Sequence, residues 1–248
     1  MKKFPHEFSD FIADPNRSLK ADPPLGTNGE CVKWFPHIVD PMMAKKAIAL
    51  LEQTLAPCMR IVNTPIPGEL IAKLKHNFSE SLPKTFHNCS VTFNSPGTVA
   101  VAVAKKICLL QMLSSKSLHR FAEEQSGYSL DREKGFQVIY YKAGDYVGPH
   151  NDHHPQDWNL RDGYIDLHIT LTNQFVESQF FIYERNGLLN QMLDISISSG
   201  LTLSRLPYWH QVTPLIAKKG KEKQAKRWLL LVSFSILKDR PAPKKKRS

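Results

Sequence analysis

Histidines and aspartates crowd the stretch Tyr140–Trp158, YYKAGDYVGPHNDHHPQDW, directly after a strand-like run. Imidazole nitrogens and carboxylate oxygens are metal ligands, so the question is which of them converge. Side chains at i and i+2 of a strand share a face. A strand over Tyr146–Asp152 therefore puts His150 and Asp152 on one side, turns Asn151 away and sends His153 to the opposite face. His154 shares the first face, but Pro155 follows it, lacks a ladder donor and is expected to end the strand there. His150 and Asp152 are the best-placed pair.

A metal centre needs a third ligand. His168 lies mid-strand in IDLHITL, a position typical of a core histidine whose polar atoms are satisfied, whereas His210 opens a later strand in LPYWHQVTPL. Two imidazoles and one carboxylate leave coordination positions open, the arrangement suited to non-haem Fe(II) rather than to a closed structural zinc site. Thiolates contribute nothing: Cys31, Cys58, Cys89 and Cys108 are scattered, without CxxC spacing, and read as reduced thiols of a cytoplasmic protein.

The elements that must position these residues divide the chain in two. Residues 1–134 read as an irregular N-terminal segment with supporting helices. Asp40-Pro41 is an N-cap followed by a proline at N1 and opens a helix running to Ala56, with Met42, Met43, Ala47, Ile48, Leu50, Leu51 and Leu55 on its apolar face. Further helices are expected at Gly68–Phe78, Thr98–Leu113 and Ser117–Gln125, the last ended by Gly127. From Gly135 the hydrophobic period changes to two. Strands are expected at Phe136–Tyr141, Tyr146–Asp152, Tyr164–Thr172, Gln179–Tyr183, Met192–Ile197, Thr202–Arg205, Trp209–Pro214 and Trp228–Leu237. Short strands separated by Gly- and Asn-containing turns argue for a β-sandwich or barrel over residues 135–240, within one compact α+β unit.

Charge is concentrated. Of a formal net charge of +10, Lys218–Arg227 carries +5 and Lys244–Arg247 carries +4, leaving the remainder of the chain at +1. These two runs are the candidate contacts for an anionic partner, and the PKKKR of the 241–248 tail also reads as a nuclear-import patch. The longest apolar runs are too short to span a bilayer, and the N-terminus lacks the apolar stretch of a signal peptide.

The ordered set His150-Asn151-Asp152, His210 and Arg227 resembles the signature of the Fe(II)- and 2-oxoglutarate-dependent dioxygenases, in their prolyl-hydroxylase-like branch. YKAGDYVGPHND resembles that branch's Tyr-x-x-Gly…Pro-His-x-Asp strand, and WHQVTP its His-x-Val-x-Pro segment; together the likeness covers Leu118–Leu237. The resemblance implies a double-stranded β-helix of the jelly-roll or cupin type. It implies Fe(II) held by His150, Asp152 and His210, and 2-oxoglutarate and O2 as cosubstrates. Arg227 would pair with the distal carboxylate of 2-oxoglutarate, with Tyr141 contributing its hydroxyl and Tyr140 as the fallback. It implies hydroxylation of a substrate with release of succinate and CO2. A protein side chain or amino acid is the favoured substrate class, ahead of nucleic acid or an anionic glycolipid. Two departures bear on the pocket: ESQFFIY (Glu177–Tyr183) stands where relatives often have Gly-Gly-x-Leu, and a second cosubstrate tyrosine would fall near Leu171. The alternative is a non-catalytic β-helix module that binds a polyanion.

Overall fold

The computed structural model describes residues 2–14, 24–64, 86–153, 156–157, 160 and 163–241. The helix expected at Gly68–Phe78 and the basic tail Lys244–Arg247 lie outside the described residues. Helix α1, Pro41–Thr54, begins as its sequence dictates: the Asp40 carboxylate accepts from the Met43 amide at 2.8 Å, with Pro41 in the first turn. The helix expected over Thr98–Leu113 is instead two, α2 (Val99–Lys106) and α3 (Leu109–Leu113), with Cys108 between them in left-handed backbone. Val101, Ala104, Ile107, Cys108, Leu109, Met112 and Leu113 are all buried. Those positions span more than one face of a straight helix, so the break lets both halves reach the core. Helix α4, Lys116–Ser126, is capped by Ser115 and ended by Gly127 at φ 79°.

Among the described residues thirteen strands follow in chain order: β1 (Val32–Phe35), β2 (Arg60–Asn63), β3 (Phe86–Thr92), β4 (Tyr128–Lys142), β5 (Tyr146–His150), β6 (Tyr164–Thr172), β7 (Val176–Ser178), β8 (Phe180–Arg185), β9 (Leu188–Asp194), β10 (Gly200–Leu206), β11 (His210–Val212), β12 (Ile216–Ala217) and β13 (Lys226–Pro241). Eleven of them form one antiparallel sheet in the order β1-β10-β6-β13-β4-β3-β5-β11-β8-β9, with β2 pairing β3. The sheet curls into a nearly closed, jelly-roll-like barrel, since β3 pairs both β4 and β5 and so joins the two halves. The eight expected strands are present, Tyr164–Thr172 with the expected bounds and the others with shifted ends. Strands β1, β2 and β3 arise before residue 135, from segments without a clean period-two burial pattern. They are strands because β10, β3 and β4 supply their hydrogen-bond partners.

Period-two alternation decides what each strand offers to each side. On β6, Ile165, Leu167, Ile169 and Leu171 join the core under the helices, while Asp166, His168 and Thr170 line the barrel interior. On β13, Trp228, Leu230, Val232 and Phe234 face the helices, and Arg227, Leu229 and Leu231 face inward. On β4, Val138 and Tyr140 take the helical side, and Gln137, Ile139 and Tyr141 the interior. The helical layer is thus the apolar cover of one sheet, and the opposite face of that sheet is left to build a site. No helix among the described residues is long and apolar enough to cross a membrane.

Candidate active site

The barrel interior holds a cavity of about 170 Å³, lined by residues of both halves of the sheet. His150 and His210 meet there because β5 and β11 pair antiparallel with the two histidines opposite one another. Register partners point to the same face, and the two ring centroids lie 4.2 Å apart. His150 Nδ1 donates to the Gly148 carbonyl at 2.7 Å, and His210 Nδ1 donates to the Tyr208 carbonyl at 3.0 Å. Each bond commits Nδ1 to its proton, so each Nε2 presents its lone pair. Those two Nε2 atoms lie 3.3 Å and 3.4 Å from the same Asp152 oxygen, Oδ2. Among the described residues, His150, Asp152 and His210 form the cluster whose ligand atoms all fall within 4.8 Å of one another.

Asp152 reaches this point by a route that alternation did not foresee. β5 stops at His150, and Asp152 is in left-handed backbone at φ 52°. Asn151 accepts the His153 amide through its side chain at 3.2 Å, a local turn that ends the strand before Pro155 has any influence. The Tyr164 hydroxyl donates to the Asp152 carbonyl at 3.1 Å and pins the turn from β6. His153 is exposed, and His154 lies outside the described residues.

The second pole of the cavity is Arg227, fully buried at the start of β13. Its Nε donates to Gln179 Oε1 at 2.6 Å, and Nη1 approaches the Thr170 hydroxyl at 3.4 Å. Nη2 has no hydrogen-bond partner among the described residues, and neither has the hydroxyl of the equally buried Tyr141. Burial pushes the guanidinium down to about 10, leaving it charged at neutral pH. Burial pushes the Tyr141 hydroxyl up, against the pull of the neighbouring Arg227 charge. A buried cation and a buried hydroxyl, each with a donor to spare, form a pocket for an anion. Tyr140, the fallback, points to the helical side and stacks on Trp228 at 4.4 Å.

Several residues escaped the sequence reading. Gln179 lies in the segment that replaces Gly-Gly-x-Leu. It is fully buried, and its amide nitrogen also donates to the carbonyls of Asp145 and Thr213. It is the side chain that aims Arg227, and nothing in its local pattern announces this. Leu171 faces the helical core, so the interior positions of β6 are Asp166, His168 and Thr170. His168 is therefore a cavity residue, where a satisfied core histidine was expected, and its Nε2 has no hydrogen-bond partner among the described residues. No residue from Lys218 to Lys226 lines the cavity; Lys218 donates its amide to the Phe175 carbonyl, Lys221 sits over the Phe175 ring, and Lys226 pairs with Glu52 at 3.0 Å.

No family model and no curated protein matches this chain by sequence. Solved structures do match by shape. A Pseudomonas putida prolyl-4-hydroxylase aligns over 85% of this chain and 94% of its own at a TM-score of 0.50 and 12% identity. The fold shared with that hydroxylase is the double-stranded β-helix. The non-haem α-ketoglutarate-dependent epimerase SnoN of nogalamycin biosynthesis aligns over 89% and 85% at a TM-score of 0.54 and 11% identity. The related carbocyclase SnoK aligns over 88% and 89% at 0.51 and 10%. At such identities the likeness speaks for the double-stranded β-helix and leaves the chemistry to the residues of this chain.

Proposed function

We propose that the protein is an Fe(II)- and 2-oxoglutarate-dependent dioxygenase. The observation that carries the reading is the pairing, in one cavity, of the His150–Asp152–His210 cluster with a buried arginine whose Nη2 is unpartnered. The donor set fits the metal: two imidazole Nε2 atoms held in the correct tautomer and one carboxylate suit Fe(II) and leave positions open. Bound there, Fe(II) with 2-oxoglutarate and O2 supplies oxidative decarboxylation to succinate and CO2, coupled to oxidation of the substrate.

The chain's own contribution is placement and exclusion of water. Arg227 Nη2 and the Tyr141 hydroxyl receive the distal carboxylate of 2-oxoglutarate, a planar donor fork matched to a planar acceptor. Gln179 and Thr170 fix the guanidinium, so little ordering remains to be done on binding. Between the two poles the wall is apolar, with Ile139, Leu229, Val147, Phe181 and Val212 keeping the site dry. The favoured substrate class is a protein side chain or amino acid. A non-catalytic polyanion-binding module is disfavoured, because the polar groups converge inside the barrel and Lys218–Lys226 lie outside that cavity.

The test is spectroscopic. Fe(II) and 2-oxoglutarate added anaerobically should produce a weak visible charge-transfer absorption, and O2 should then yield succinate. Folded protein that gives neither would defeat the reading.

A further inference from the structure

The inward-facing residues of β4, β6, β10 and β13 form tiers along the barrel, set by register. Arg227 and Tyr141 share one tier, Leu229 and Ile139 the next, and Leu231, Gln137, His168 and Thr202 a third. The fourth holds Asp166, Ser204, Ser233 and Gly135. Six residues of β13 separate Arg227 from Ser233, roughly 20 Å at about 3.3 Å per residue. The last tier is therefore beyond the reach of a five-carbon diacid seated on Arg227. It lies beside the metal cluster instead: Asp152 and Asp166 line both the main cavity and the adjoining opening, and Tyr164, two residues before Asp166, bonds the Asp152 carbonyl. Gly135 leaves that opening clear, since a Cβ there would meet nothing nearer than Asn94 at 3.8 Å.

Asp166 is 5% exposed, and its Oδ1 has no hydrogen-bond partner among the described residues. Its nearest basic group is His168 Nε2, 3.7 Å from Oδ2 and too far to hydrogen-bond; that nitrogen is itself unpartnered. The Ser204 hydroxyl lies opposite Asp166 in the register. A carboxylate does not stay buried in this condition without cost. A metal held by the His150–Asp152–His210 cluster would neutralise Asp152, and Arg227 belongs to the far tier. Asp166 is left with an acceptor and a charge that need a partner from outside.

We propose that Asp166, with His168 beside it, is the substrate-recognition subsite, and that the substrate enters with a cationic nitrogen, an ammonium or guanidinium group, seated on Asp166. This deepens the oxygenase reading and rests on it for the word substrate; the cation site itself stands on the geometry of the tier. A neutral hydroxyl would satisfy the acceptor but not the charge, which is why a cation is favoured. The same group could be presented by a free amino acid or amine, or by a lysine or arginine side chain in a peptide.

The test compares isosteres. n-Butylguanidine and N-butylurea have nearly the same shape and differ in charge. Ligand-observed NMR on the metal-free full chain carrying Asp152→Asn, which removes the other carboxylate of the opening, should show butylguanidinium binding at least about tenfold more tightly, the scale of a charged hydrogen bond. Asp166→Asn, which keeps the shape, should remove that preference while the melting temperature stays no lower than the parent's, which reports an intact fold. Equal binding of the two probes, or a preference that survives Asp166→Asn, would overturn the proposal. The preference is measured without iron, so loss of the oxygenase reading and loss of this one are separate results. Free L-arginine against an arginine capped on both sides in a tripeptide then distinguishes the two sources.

Discussion

Tyr141 and Arg227 are register partners on β4 and β13, and the guanidinium carbon lies 4.3 Å from the centroid of the tyrosine ring. The ring face shields the cation on one side while Gln179 holds Nε on another, so the free Nη2 edge is the one presented to the cavity. Arg227→Met should weaken 2-oxoglutarate binding by about 10- to 100-fold, the worth of a charge-assisted hydrogen bond. Tyr141→Phe should cost about fivefold, since it removes one neutral donor. Titration calorimetry with 2-oxoglutarate measures both, and an unchanged affinity in Arg227→Met would remove Arg227 from the site.

Gln179→Glu is a sharper probe of the same pole. A carboxylate 2.6 Å from Nε would neutralise the guanidinium from behind and compete with the incoming diacid. The variant also loses the amide's donations to the Asp145 and Thr213 carbonyls, so its melting temperature should fall, and it should bind 2-oxoglutarate about tenfold more weakly. A melting temperature well below the parent, with affinity unchanged, would make Gln179 purely a packing residue.

The metal cluster makes a selective prediction. His150→Ala, Asp152→Ala and His210→Ala should each abolish the anaerobic charge-transfer band, while His153→Ala, whose side chain is exposed, should leave it intact. If His153→Ala is as silent as the others, the ligand set is wrong.

Trp228 reports on the other face of the same strand. It is fully buried, stacked on Tyr140, and belongs to the core that the helices cover. Trp228→Ala should destabilise by about 3–5 kcal/mol in denaturant unfolding. A cost under about 1 kcal/mol would mean the helical layer repacks freely against the sheet.

Glu7 ties the N-terminal segment to α4: its Oε2 accepts from the Ser117 hydroxyl at 2.7 Å and the Ser117 amide at 3.1 Å. Those bonds hold its carboxyl below the ordinary 4.5, the hydroxyl first and the amide second. The folded value is depressed, so the stabilisation is present above pH 4.5 and disappears as the pH falls through the lowered value. Thermal melts of the parent and Glu7→Gln should therefore differ at neutral pH and converge in acid; a gap independent of pH would show that charge plays no part.

Much of the fold was readable because its cause is local. The cap at Asp40, the stop at Gly127 and the period-two runs on β6 and β13 follow from single residues and their neighbours. The split at Cys108 and strands β1–β3 were not readable, because core geometry and partner strands impose them. That His150, Asp152 and His210 come together was anticipated from their order in the chain, though Asp152 arrives by a left-handed turn and not by strand alternation.

The sequence by itself determined which chemistries are available: two imidazoles, carboxylates and an arginine that opens an apolar strand. Tertiary structure decided which of them meet. The opposition of His150 and His210, the aiming of Arg227 by Gln179 and the placing of Asp166 a full barrel length from Arg227 are all consequences of strand register. Register pairs residues that are tens of positions apart and is set by how all the strands pack at once, so no local pattern could have announced it.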